Sequence, residues 1–269
     1  MSIKKTLWLI TMVLLLSVLG IIMYLRFHTD NNVIFGGAEG VFVPADGRAV
    51  KTDTEQDTEQ NRSSVGVPAG VSFPEDIDIS EWRLRIISPD RVVKDYAPTL
   101  SVFNEQGVKI DSRIVANLYQ MICAAQKAGF DPVVARGYVS YGSQQQQINE
   151  KAVELTEQTG TDFAEARKLA AESVELPGTS DHQTGLGVDI TDRLYEGAEY
   201  PEMDPRLFAW LDENAAEFGF VKRYPANKES ITGRNEPWHY RYVGITTAQF
   251  MAEHGLTLEE LAAYYENQN

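Results

Sequence analysis

The chain has 269 residues, with 24 lysines and arginines against 39 aspartates and glutamates, for a formal net charge of −15. That length accommodates one ordinary domain plus additional segments. The acidity argues against nucleic acid as a partner, because phosphate binding is driven by clustered Lys and Arg, and a single cysteine, Cys123, excludes an internal disulfide.

Residues 7–25 carry no charge. At about 1.5 Å per residue they span roughly 28 Å, close to the hydrocarbon thickness of a bilayer. Lys4 and Lys5 precede the run, which favours a cytoplasmic N-terminus. Arg26, Phe27 and His28 follow it, where a cleaved signal peptide predicts small residues. Residues 1–26 are therefore expected to form an uncleaved membrane anchor that places the remainder outside the cytoplasmic membrane. Residues 27–78 read as a disordered extracytoplasmic stalk: Lys51–Ser64 offers nothing to bury, and Asp53-Thr-Glu-Gln repeats at Asp57 as low-complexity sequence.

The folded domain is assigned to residues 79–269, with packed sequence expected from Trp82. Leu84-Arg-Ile-Ile alternates weakly and predicts a first strand. Residues 111–129 follow the helical period: Ile114, Leu118, Met121, Ile122 and Ala125 share a face, Asp111 or Ser112 caps the start, and Gly129 ends it. Pro132 to Arg136 reads as a buried strand. A long helical region runs from Ser143 to about Ser173, broken near Gly160, with Asp162 and Glu165 fitting a capping pattern. Gly187-Val-Asp-Ile predicts a short strand, Asp204 to Glu217 a helix, and Phe220 to Arg223 and Trp238 to Val243 two more strands. Thr246 to about Tyr265 is helical with a break at Gly255. This order implies an α+β fold, a small, mostly antiparallel sheet flanked by helices.

Of four histidines, only His182 and His239 lie among glycine, carboxylate and aromatic residues. Asp189 follows His182 by seven positions, with Gly185 and Gly187 between them to permit a sharp bend. A carboxylate between Val188 and Ile190 is costly to bury unless it meets a cation. Taken alone, this pair fits a capped turn equally well. Glu236-Pro-Trp-His239 adds a second imidazole and a spare carboxylate, with Pro237 restricting the backbone and Trp238 offering an apolar wall. Desolvation of that kind raises a carboxyl toward the range useful to a general base. Two imidazoles, one carboxylate and a neighbouring base are the parts of a catalytic zinc site.

At these residues the chain resembles the VanY-like zinc D-alanyl-D-alanine carboxypeptidases, which are related to the VanX dipeptidases. Ser180-Asp-His182, Gly185, Gly187-Val-Asp189 and Glu236-Pro-Trp-His239 match that family's motifs, and Gly137-Tyr138-x-Ser140-Tyr141-x-x-Gln144 matches a further stretch. The resemblance covers about residues 82–250. It implies that His182, Asp189 and His239 hold Zn2+ and that Glu236 is the catalytic base. It further implies a peptidoglycan stem peptide as substrate. Gly187 stands where the family usually has Ala, and Val139 where it has an Arg that helps to bind or polarise substrate. Arg136, three positions earlier, is a candidate replacement, although an odd offset along a strand would aim it at the opposite face. The candidate substrate-binding residues are Arg136, Ser140, Gln144, Ser180 and Trp238. L,D-carboxypeptidase action on tetrapeptide stems and a non-catalytic wall-binding module of the same fold are the alternatives.

Overall fold

Val188 and Ile190 are fully buried on one face of a five-residue strand, and Asp189, between them, points to the other. This alternation organises the molecule. The computed structural model describes residues 65–267 apart from 67, 69 and 194–202. The expected anchor and most of the expected stalk lie outside the described residues, among which no helix is long and apolar enough to cross a membrane.

A hairpin, β1 (Leu100–Val102) and β2 (Lys109–Asp111), leads into helix α1 (Val115–Lys127). Strand β3 (Val133–Arg136) follows, then a helical hairpin of α2 (Tyr141–Thr159) and α3 (Phe163–Ala170). Strand β4 is Gly187–Thr191, α4 is Pro205–Asn214 and β5 is Phe220–Tyr224. A single helical turn, α5 (Glu229–Thr232), precedes β6 (Glu236–Tyr242), and α6 (Ile245–His254) and α7 (Leu258–Glu266) close the fold. The four-stranded sheet has the order β3-β4-β6-β5, with every neighbouring pair antiparallel. The expected α+β architecture is present.

One face of the sheet carries Val134, Val188, Ile190 and Tyr240 into a core shared with Leu118 and Met121 of α1 and Leu207 and Leu211 of α4. Each such side chain contributes roughly 1.5–3 kcal/mol on burial. A second cluster joins α6 and α7 to Phe73, Ile77, Leu84 and Val243. A small third one, built on Ile148 and Ala166, holds the α2–α3 hairpin together.

The caps follow the sequence signals. Asp111 accepts from the amide of Arg113, Asp162 from that of Glu165, and Gly160 ends α2 in the left-handed conformation. Two expectations differ. Leu84-Arg-Ile-Ile is not a strand: Trp82–Leu84 is a 3-10 turn and Ile86 and Ile87 are buried without a ladder, so packing alone explains the apolar residues. Packing also begins before Trp82, since Phe73 is buried and stacks on Tyr264 at 3.7 Å between ring centroids. The β1–β2 hairpin was not foreseen, because strands of three residues carry too little alternation to read.

Candidate metal centre

Strand register builds the site. Asp189 of β4 lies opposite His239 of β6 and opposite Arg136 of β3, so three residues form one row across the sheet. Directly opposed residues share a face, and this is the face turned away from the Val188 core. His182 arrives from a 3-10 turn, Asp181–Thr184, whose amide at His182 is accepted by Ser180 Oγ. The turn ends at Gly185, with φ of 70° and its position for a Cβ only 2.8 Å from the Asp111 amide nitrogen. Any side chain there would be both strained and obstructed.

His239 Nδ1 lies 2.8 Å from Asp189 Oδ1, and His182 Nε2 lies 3.4 Å from the same oxygen. The two imidazoles meet edge to face at 4.7 Å. His182, Asp189 and His239 are all buried, and one ligand atom from each falls within 4.8 Å of the others. His182 Nδ1 pairs with the Gly137 carbonyl at 2.8 Å, which makes it the donor and leaves Nε2 as the free lone pair facing the cluster. Two nitrogens and one carboxylate oxygen, one imidazole already fixed by a backbone acceptor, fit the donor set of a zinc site with an open position. His239 Nε2, on the far side of its ring, is buried without a hydrogen-bond partner and faces Gly187, where a Cβ would come within 2.9 Å. An alanine at 187 would press on that ring, so the glycine matches this placement of His239.

Burial alone would raise the Asp189 carboxyl, but the two imidazoles outweigh it and hold the group far below the ordinary carboxylate range. Burial opposes a charge on His239, while Asp189, Glu236 and Asp181 together push its pKa up. The corner thus attracts positive charge.

Asp181, beside the ligand turn, is fully buried and is not part of the cluster. It accepts from Arg223 Nε at 2.8 Å and from Arg241 Nη1, while Arg223 also makes two bonds to Glu259 of α7 at 2.9 and 2.5 Å. Arg241 Nη2 donates to the carbonyls of Arg83 and Arg85. Two carboxylates and two guanidiniums form a charge-balanced layer at the ligand turn, buried except at Glu259, whose side chain is 17% exposed, and such burial is permitted only because each charge is matched. Tyr224, opposite Glu236 across a register shift between β5 and β6, packs its ring 5.2 Å from that of His239.

Glu236 stands at the rim. Its Oε2 is 4.0 Å from His239 Nδ1, and its Oε1 is 3.4 Å from Arg234 Nη1, which also reaches Glu175 Oε1 at 2.6 Å. Arg136 donates to Gln144 Oε1 at 3.3 Å and Gln147 Oε1 at 3.2 Å, and Gln144 Nε2 donates to the Glu175 carbonyl. The register with Asp189 puts Arg136 on the site face, contrary to the opposite face expected from its odd offset. The reason is a register shift between Val134 and Arg136, which turns Arg136 away from the core face that Val134 occupies, while Val139 lies beyond the strand with its amide bonded to the His182 carbonyl.

The other candidates separate. Ser140 caps α2 through the Ser143 amide, and Ser180 Oγ is engaged in the ligand turn. Trp238 packs against the main core, and the ring beside His239 is that of Tyr224 instead. Sequence reasoning missed Arg223, Arg234, Arg241, Glu175 and Glu259. The signal that Arg223 and Arg241 gave was a charged residue in an apolar strand, the same signal that marked Asp189.

Comparison with known proteins agrees with this geometry. The VanY family profile, described as D-alanyl-D-alanine carboxypeptidase, matches residues 107–245. A D-alanyl-D-alanine carboxypeptidase of Enterococcus faecalis is 36% identical over 221 residues, covering 81% of this chain and 77% of the relative. A solved mutant of the vancomycin-resistance D,D-pentapeptidase VanY from a VanB-type cassette, in complex with Zn(II), is 40% identical. It superposes with a TM-score of 0.56 over 67% of this chain and 98% of its own. A structure of VanYB with D-alanine-D-alanine is 39% identical, with a TM-score of 0.57, covering 67% of this chain and 97% of its own.

Proposed function

The chain belongs to the VanY family of D-alanyl-D-alanine carboxypeptidases, and from this premise we propose a zinc-dependent hydrolase that removes the C-terminal D-alanine from peptidoglycan stem peptides. The observation that carries the reading is the convergence of His182 Nε2, Asp189 Oδ1 and His239 Nδ1 in one buried corner with Glu236 at its edge. His182, Asp189 and His239 would hold the metal. When bound, zinc supplies Lewis acidity toward the scissile carbonyl and lowers the pKa of water in the site.

The chain's own groups do the rest. Glu236, with Oε2 facing the corner, takes a proton from the attacking water and returns it to the leaving amine. Arg136, held only by glutamine amides among the described residues, offers its guanidinium to the substrate's carboxylate or carbonyl. The buried layer of Asp181, Arg223, Arg241 and Glu259 keeps the ligand turn in register with the sheet. We place the domain at the outer face of the cytoplasmic membrane, tethered through residues 7–25. The uncharged length of that segment and the cell-wall substrate support this location.

The test is to incubate the purified chain with pentapeptide and tetrapeptide stems, with and without chelator, and to identify the amino acid released. The expected result is D-alanine from the pentapeptide, lost on chelation and restored by zinc. Release from the tetrapeptide alone would reassign the chain to L,D cleavage. No release from either, with zinc bound, would leave a binding module.

A further inference from the structure

We infer that Arg234 is a positioning residue for Glu236, and that Glu175 keeps it from closing fully onto that carboxylate. This inference rests on the reading of Glu236 as the base. Arg234 follows Gly233, which ends α5 with φ of 74°, and its carbonyl accepts from Thr232 Oγ1 at 3.0 Å, so its backbone is fixed. Its guanidinium lies 5.6 Å from the centroid of the Tyr224 ring. From there Nη1 makes a short bond of 2.6 Å to Glu175 and a long one of 3.4 Å to Glu236. The Glu175 carbonyl is itself bonded to Gln144 of α2, so the partner that draws Arg234 away is anchored too.

The consequence for Glu236 is directional. With Oε1 turned toward Arg234, Oε2 is the oxygen left facing His239. A glutamate free to rotate would present that oxygen only part of the time, and a reacting group displaced by about 1 Å can lose about a hundredfold in rate. One cation shared between two carboxylates also leaves a net negative charge facing the metal corner. If Arg234 closed on Glu236 as a bidentate pair, both oxygens would be occupied. Glu175, the stronger partner by distance, prevents that. The three side chains are between 12% and 28% exposed, so their pairing is less screened than at an open surface.

The experiment compares wild type, Arg234→Met, Arg234→Lys, Glu175→Gln and Glu236→Gln for kcat, KM, zinc content and thermal unfolding, using pentapeptide stem with zinc present. Arg234→Met should lower kcat by about tenfold or more while KM stays within about threefold, the signature of an interaction that matters in the transition state. Zinc content should be unchanged. Arg234→Lys should recover part of the loss, since it restores the charge but not the planar fork, and Glu175→Gln should lower kcat in the same sense. A raised KM at constant kcat would make Arg234 a substrate contact and overturn the inference. So would loss of zinc or folding in Arg234→Met, which would make it a support of the metal corner, unless Glu175→Gln, still folded and zinc-loaded, shows the kcat loss alone. Wild-type kcat in Arg234→Met, alongside an inactive Glu236→Gln, would overturn this inference and leave the proposed function intact. An inactive, zinc-loaded wild type would overturn both.

Discussion

The floor and the rim of this site are held in place by different means. On the floor, the side chains of His182, Asp189 and His239 are at most 4% exposed, and strand register with one backbone acceptor sets their positions. Beside them Asp181, Arg223 and Arg241 are equally buried, and Glu259 completes the charge balance. At the rim, Glu236, Arg234, Glu175 and Arg136 are long side chains, partly exposed, positioned by one or two hydrogen bonds each. A floor of this kind can change only by breaking. A rim can be retuned one residue at a time, because its members reach the site from two strand ends, at Arg136 and Glu236, and two loops, at Glu175 and Arg234. Val139 beside Arg136 is an instance of that freedom.

The comparison predicts that rim substitutions leave metal and fold intact, while floor substitutions do not. Glu236→Gln should sharpen it most: zinc and folding are retained and turnover falls by about a hundred- to ten-thousand-fold, the usual worth of a general base. More than about a tenth of wild-type turnover would reduce Glu236 to a structural neighbour of His239.

Asp181→Asn acts on the floor without touching a ligand atom. It leaves two buried guanidiniums short of a counter-charge, which should cost about 3–5 kcal/mol in unfolding free energy by denaturant titration. Burial alone would raise the Asp181 carboxyl, but Arg241 and Arg223 hold it below the ordinary range. Its stabilisation is therefore fully present above the unfolded carboxyl value of about 3.9 and fades as pH falls through the lower folded value. The gap between wild type and Asp181→Asn should be constant near neutrality and shrink only in strong acid.

Arg136→Ala is the smallest of the three. It should lower kcat/KM by about tenfold, or about 1.4 kcal/mol, with zinc content unchanged. Activity within about twofold of wild type would break the rim's assignment at that residue and return Arg136 to the surface. Equal cleavage of a C-terminally amidated substrate would point to an endopeptidase.

The floor was readable because its signals are local and costly. A carboxylate between Val188 and Ile190 with glycines at 185 and 187 fits a capped turn on its own, but together with Glu236-Pro-Trp-His239 it departs from a bland strand or loop. The sheet was readable for the same reason, since its period-2 burial is strong at Val188, Ile190 and Tyr240. Arg223 and Arg241 carried the same signal as Asp189, yet nothing local pointed to Asp181 as their partner, because the pairing spans 42 and 60 positions. The rim was legible only at Glu236 and Arg136. Arg234 and Glu175 are 59 residues apart on two loops, and no periodicity relates them. Trp238 packs against the main core, which its place between Glu236 and His239 does not reveal.

Metal analysis of the purified chain tests the central claim most directly. Wild type should hold one tightly bound zinc per chain, and His182→Ala and His239→Ala should each lose it. Asp192→Ala, whose carboxylate accepts from the Asp204 amide rather than joining the cluster, should keep it. Wild-type zinc content in either histidine variant would contradict the assignment of this corner as the metal centre.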